Sequence, residues 1–359
     1  MNQQRWPGAL FQLPRIHSRR VINVPRRTKL SHAMGLRRWR GLACGAAALA
    51  LAFTTVASTA ASGQTNTQVL AAVSASLSIK QLPGSLTPTL SQAVNDKTSP
   101  LIAGANDILN KCDPYWNHNQ AAKPIPCHYG DLSSKKTVVI FGDSNAGNWV
   151  PAFDQIFKAL GYKIDLFGFI GCTTAPVPET ATSQPGFSGE WKLCNTWHRT
   201  LPAAVRAVKP VAIISASSPW STLDQTERKD WVAAMKTAYT EMTIGLPKTV
   251  RIAMGTSPLY PQLVPFCLAN NPSHVQKCAL NYSSPKSWYA TLLARDVKVA
   301  AAIKGTLIPS WQWFCKDFKC SPVILNYLVC IDRDHTTTAY DLFVEDSLKA
   351  TLLKRVKLP

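Results

Sequence analysis

From about residue 135 to the end of the chain, short apolar runs alternate with longer mixed ones, and this alternation limits the fold more than any other feature. "KTVVIF" reads as a buried strand, "AGNWVPAFDQIFKALG" as a helix ending at Gly161, and "YKIDLFGF" as a second strand. "EWKLCNTWHRTLPAAVRAV" is helical with a break expected at Pro202, and "PVAIISAS" supplies a third strand. A long amphipathic helix over "LDQTERKDWVAAMKTAYTEMTI" leads to a strand in "KTVRIAMG". A helix in "SPKSWYATLLARDVKVAAAIKG", a short strand in "TLIPS" and a terminal helix in "TTTAYDLFVEDSLKATLLKRV" complete the series. Strands separated by helices of this length imply an α/β protein, with a parallel sheet between two helical layers. The chain has 359 residues, 46% of them hydrophobic, which is enough to fill such a core. In an open parallel sheet the site belongs in the loops at the C-terminal strand ends.

Two of those loops hold residues able to do chemistry together. In "VVIFGDSNAGNW", Ser144 follows the first strand directly, Gly142 allows a sharp turn, and Asp143 can cap the next helix. Backbone N–H groups at such a turn can bind a developing oxyanion. In "CIDRDHTTTAY", Asp332 and His335 stand three positions apart just before the terminal helix. A serine hydroxyl needs a base to remove its proton, and the base needs an acceptor to fix its tautomer and steady the imidazolium. Ser144, His335 and Asp332 supply those three roles, with Asp334 a second possible orienter. The plainer readings are that Gly-Asp-Ser is ordinary turn chemistry, that Asp334 or Thr336 caps the last helix, and that His335 is exposed.

Phe-Gly-Asp-Ser at 141–144 and Asp-x-x-His at 332–335 together resemble the SGNH or GDSL superfamily of serine esterases and acyltransferases. The sequence is most similar to the SGNH domain attached to type 3 membrane acyltransferases, which modify envelope and surface polysaccharides. "LPGSLTPTLSQAVND", "CHYGDLSSKKTVVIFGDSNAGNWVPAF", "GCTTAP", "CNTWHRT" and "YLVCIDRDHTTTAY" carry the likeness, over roughly residues 81–358. The resemblance implies a three-layer α/β/α, flavodoxin-like sandwich at 111–359, with Ser144 as nucleophile, His335 as base and Asp332 as its partner. It implies no cofactor. The oxyanion donors it implies are the N–H groups of Ser144 and Gly171, with Gly168 as the second choice of glycine. About ten membrane spans would be needed for the acyltransferase part, so a stand-alone exported form is expected, with a membrane acyl-donor protein as a possible partner.

Two positions depart from the pattern. Asn145 stands where the attached domains usually show histidine after the serine. The superfamily's third block contributes an asparagine to the oxyanion hole, and "IISASSPW" has none, so Ser217 is the doubtful substitute. Loss of one oxyanion donor typically costs about 10²–10³ in rate. Two classes of function therefore stand side by side: an esterase or O-acyltransferase acting on acyl, expected acetyl, esters of envelope carbohydrate, and a non-catalytic module of the same fold binding envelope glycan or protein. His198 reads as packing or capping, His128 and His274 as structural or exposed. Trp149, Trp191, Trp197 and Trp220 are mostly core, with a sugar-stacking platform as the alternative.

Charge and cysteine address the compartment. Of the 39 Lys and Arg, ten fall in residues 1–60, where there is no Asp or Glu, so the formal +19 shrinks to 29 − 20 = +9 beyond that block. The scattered remainder does not suggest nucleic acid as a partner. The basic block runs into "GLACGAAALALAFTTVASTAAS", the order of a secretory signal over 1–60, with Met34 a possible start and a signal anchor the alternative. Residues 61–110 read as a linker becoming an ordered lead-in. Export suits ten cysteines. With Cys44 inside the signal, the expected neighbouring pairs are Cys112–Cys127, Cys172–Cys194, Cys267–Cys278 and Cys315–Cys320, which leaves Cys330. No cysteine pair has C-x-x-C spacing, so no metal site is expected.

Overall fold

A computed structural model describes residues 64–93, 119–177, 191–218, 225–282 and 288–359, apart from some side chains at helix starts. They belong to the unit Gly63–Pro359; the signal segment expected at 1–60 lies outside the described residues.

The main sheet has six strands: β1 Cys127–Gly130, β2 Thr137–Gly142, β3 Lys163–Gly168, β4 Ala212–Ala216, β5 Val250–Met254 and β6 Thr306–Ile308. Their order is β1-β3-β2-β4-β5-β6, parallel throughout except for β1, which runs antiparallel along the edge of β3. Alternation along β2 divides the interior. Val138 and Ile140 enter one core with the helices Val150–Ala159 and Thr338–Arg355, while Val139 and Phe141 enter the other with Trp191–Val208 and Gln225–Met242; the helix Trp288–Ala302 contributes to both. Every residue of β2 is buried, as expected of the central strand of an α/β/α sandwich.

Chain order places the site. From β2 the chain passes to β3 on one side and then returns to β4 on the other, so the strand order reverses at β2. The crevice beyond the C-terminal end of β2 is the usual ligand position in such a sheet. The three strands end level there, with Gly142 opposite both Gly168 and Ala216.

The structure departs from the sequence reading in four places. Pro202 does not break its helix, which continues through Val208, with Trp197, Leu201 and Val205 buried at four-residue intervals across the proline. Their burial offsets the missing N–H. The helix expected after Ser144 is two helices, Ser144–Asn148 and Val150–Ala159, the second with Pro151 in its first turn, where proline is tolerated. Part of the expected linker is core structure: Asn66–Ser76 is a helix, started by a reciprocal Thr65–Gln68 capping box and burying Val69 and Val73. The last helix is capped by Thr337, not by Asp334 or Thr336.

Disulfides join Cys172 to Cys194, Cys267 to Cys278 and Cys315 to Cys320. Cys127 is also disulfide-bonded; its expected partner Cys112 lies outside the described residues. Cys330 is a buried free thiol. Among the described residues, no helix is long and apolar enough to cross a membrane.

Candidate active site

Ser144 begins the first short helix, directly after Asp143, whose carboxylate caps that helix by accepting the Asn145 N–H at 2.9 Å. Gly142 makes the turn possible. Its φ of +151° suits glycine, and a Cβ there would lie 2.0 Å from the Ala216 carbonyl oxygen and 2.9 Å from Thr174 Oγ1. The serine thus sits where the strand backbones crowd together.

The second half of the site is a pinned loop. Ile331 N–H donates to the His335 carbonyl at 2.8 Å and Thr337 N–H to that of Val329 at 2.9 Å, closing residues 329–337 on themselves. Val264 and Tyr260 N–H donate to the carbonyls of Asp332 and Arg333, at 2.9 and 2.8 Å. Asp332 Oδ1 accepts the N–H groups of both Asp334 and His335, so the carboxylate shapes the turn that presents the imidazole.

These two halves meet. His335 Nε2 lies 2.8 Å from Ser144 Oγ, and His335 Nδ1 lies 2.6 Å from Asp332 Oδ2. With Nδ1–H donating to Asp332, a neutral ring leaves Nε2 free to accept the serine hydroxyl. Burial alone would push the imidazolium down, but Asp332, then Asp334 and Asp143, outweigh it and raise His335 from 6.5 to about 10. Burial also works against the Asp332 carboxylate, and the adjacent His335 still holds it below the ordinary range. The chain Oγ–Nε2, Nδ1–Oδ2 has the connectivity by which a hydroxyl is deprotonated and an imidazolium steadied.

The loop after β3 carries Gly171, the glycine expected from the sequence. Gly171, at φ +79°, is the third residue of a turn closed by Cys172 N–H donating to the Phe169 carbonyl at 3.0 Å. Its N–H and that of Ser144 make no hydrogen bond to the described residues. Gly168, the second choice, ends β3 opposite Gly142. The rest of "GCTTAP" is held from three directions. Cys172 is bonded to Cys194, His198 Nε2–H donates to the Thr173 carbonyl at 2.7 Å, and Thr174 Oγ1–H donates to the Ala216 carbonyl at 2.8 Å. Burial pushes His198 down to about 4, so it is a neutral donor that pins this loop.

Ser217 makes no hydrogen bond among the described residues, whereas its neighbour Ser218 makes two at the site. Ser218 N–H donates to Asp143 Oδ2 at 2.7 Å, and Ser218 Oγ–H to Asp334 Oδ2 at 2.9 Å. Sequence reasoning missed this serine; the signal available was a hydroxyl pair exactly where the third-block asparagine is missing, since either hydroxyl could face the crevice. Trp149 and Trp197 are buried and offer no sugar platform; the side chains of Trp191 and Trp220 lie outside the described residues. His128 pairs with Asp165 at the far sheet edge, and His274 is exposed.

A family model described as the SGNH domain fused to AT3 domains matches residues 111–349. The chain belongs to that SGNH family. Among solved structures, the periplasmic domain of the lipopolysaccharide acetyltransferase of Salmonella ser. Paratyphi A is similar at a TM-score of 0.48 and 15% identity, covering 70% of this chain and 97% of that one. Est24, a carbohydrate acetylesterase from Sinorhizobium meliloti, gives 0.36 at 11% identity over 61% of this chain and 99% of its own. The aryl esterase of M. smegmatis gives 0.39 at 14% identity over 62% and 100%. A search of curated proteins finds no match. As an SGNH domain, the chain fits acyl-ester hydrolysis or transfer in general terms.

Proposed function

We propose that this SGNH domain is an exported serine esterase or O-acyltransferase acting on acyl esters, above all O-acetyl groups, of cell-envelope carbohydrate. The observation that carries the reading is the continuous hydrogen-bonded chain from Ser144 through His335 to Asp332. A binding module has no need of it.

In the proposed reaction the neutral form of His335 takes the Ser144 proton at Nε2 as Oγ attacks the ester carbonyl. Asp332 steadies the resulting imidazolium, and the N–H groups of Ser144 and Gly171 hold the tetrahedral oxyanion. Collapse expels the sugar hydroxyl, protonated by His335, and leaves the acyl group on Ser144. Water or a second sugar hydroxyl, deprotonated by the same imidazole, then takes the acyl group and frees the serine. Export is supported by the basic and apolar order of residues 1–60 and by the disulfides. Membership of a family fused elsewhere to AT3 domains makes a membrane acyltransferase a fitting acyl donor.

A fluorophosphonate probe tests the reading directly. We expect a single adduct, placed on Ser144 by mass spectrometry, and loss of both labelling and acetyl-ester turnover in Ser144→Ala at an unchanged melting temperature. A folded wild-type protein that stays unlabelled where a related esterase reacts would return the chain to the binding class.

A further inference from the structure

Beneath the Ser144–His335 contact lie two buried carboxyl groups that the reaction above does not use, Asp143 and Asp334, 4% and 3% exposed. They share the same two donors. Asn145 gives its backbone N–H to Asp143 Oδ1 and its amide Nδ2–H to Asp334 Oδ2, at 2.9 and 3.4 Å. Ser218 likewise gives its backbone N–H to Asp143 and its hydroxyl to Asp334, at 2.7 and 2.9 Å. In each case the backbone serves the carboxyl at the end of β2, and the side chain serves the carboxyl on the histidine loop.

The arrangement has two effects on the reacting pair. Asn145 follows Ser144 and Asp334 precedes His335, so the Asn145–Asp334 bond runs beside the Ser144–His335 contact and ties the same two segments. Asn148 adds a third tie by donating Nδ2–H to the Asp334 carbonyl at 3.3 Å. In addition, Asp334 Oδ1 lies 3.9 Å from His335 Nδ1, which places a second carboxylate beside a ring already bonded to Asp332. Asn145 and the serine pair of "IISASSPW" are also the two places where the sequence leaves the family's usual pattern, and both converge on Asp334.

We propose that Asp334 is a positioning residue for the Ser144–His335 pair, clamped by Asn145 and Ser218 so that its carboxylate fixes the reach of the imidazole and lies beside it as it becomes imidazolium. The proposal rests on the reading of His335 as the base. Among the described residues, the charged and titratable groups around that ring are Asp332, Arg333, Asp334 and the buried thiol of Cys330 from its own loop, and Asp143 from the end of β2. The β4 loop contributes hydroxyls, and the Tyr260 phenol is turned away to the Ser321 carbonyl.

The test follows the fluorophosphonate labelling rate against pH alongside an NMR titration of the His335 ring, in wild type and Asp334→Asn. The asparagine keeps the size and an acceptor but loses the charge. We expect the His335 midpoint and the rising limb of the labelling rate to move to lower pH by about one to three units, while the plateau rate falls by about ten- to a hundredfold. A merely structural role would lower the rate without moving the midpoint. Should Asp334→Asn not fold, Ser218→Ala removes the hydroxyl bond while retaining the backbone one, and a smaller change in the same direction is expected. A midpoint that stays in place in the folded variant overturns the proposal. Wild-type protein that resists the probe while its His335 midpoint still responds to Asp334→Asn would instead remove the nucleophile reading and leave the positioning one.

Discussion

At the scale of single residues, His335 stands among Asp332, Asp334 and Asp143, and folding must bring that charge together. The linkage to stability has a definite sign. Below pH 6.5 the ring is protonated whether the chain is folded or not, and the folded protein keeps that proton up to about 10. Its contribution is therefore complete below 6.5 and lost as pH rises towards 10. Asp143, raised from 3.8 to about 7 by burial against the opposing pull of the Ser218 and Asn145 N–H bonds, acts in the same direction over its own window. Between 3.8 and about 7 the unfolded chain releases that proton first, so stability falls there too. We expect the calorimetric melting temperature to decline as pH rises from 6.5 to about 10, and Asp332→Asn to flatten the decline. A melting temperature that climbs over this range would contradict the assignment. Ser144, Asp332 and His335 could be singled out from sequence because each has chemistry that a neighbour in the motif completes. Ser218 could not, because "SASS" offers two adjacent hydroxyls and nothing in the sequence says which one turns to Asp143 and Asp334, 75 and 116 positions away.

At the scale of elements, the buried parallel strands and the long helices were legible because their apolar runs and periodicities are strong. The β1 strand was not, since "CHYG" is four residues at a sheet edge with no alternation to separate it from a loop. The helix Val264–Asn270 and the two-residue ladders near Cys315–Cys320 and Val323–Leu328 are too short to leave a period. The helix Asn66–Ser76 escaped notice in an Ala- and Ser-rich stretch, yet the segment that follows it supports the histidine loop. Thr87 N–H donates to the Asn326 carbonyl and Leu328 N–H to that of Thr87, at 2.7 and 2.9 Å, just before residues 329–337. Truncating the core side of this lead-in should therefore be felt. Val73→Ala is expected to cost about 1–3 kcal/mol and Thr65→Ala, which removes the cap, about 1 kcal/mol. Urea unfolding would measure both, and values near zero would mean that the lead-in is not integral to the domain.

At the scale of the whole molecule, the three disulfides with both ends among the described residues divide into two local clips and one longer closure. Cys267–Cys278 and Cys315–Cys320 span 11 and 5 positions, whereas Cys172–Cys194 spans 22 and joins the glycine loop to the helix Trp191–Val208. On the chain-entropy account, closing the longest loop contributes about 3 kcal/mol and the shortest about 2 kcal/mol. Paired serine replacements, compared by denaturant midpoint, should rank in that order. The longer pair should also slow fluorophosphonate labelling, because it frees the loop bearing Gly171; equal labelling in the two double variants would argue that the disulfide does not support the glycine.

Ser144 and His335 are 191 positions apart, and the imidazole arrives only with the segment that leads into the final helix. Because chains are made from the N-terminus, the serine is synthesised long before the imidazole that lies against it. On the proposed function, a copy cut short before residue 335 would hold a serine without its base, so labelling of Ser144 would report that the two ends of the described domain have come together.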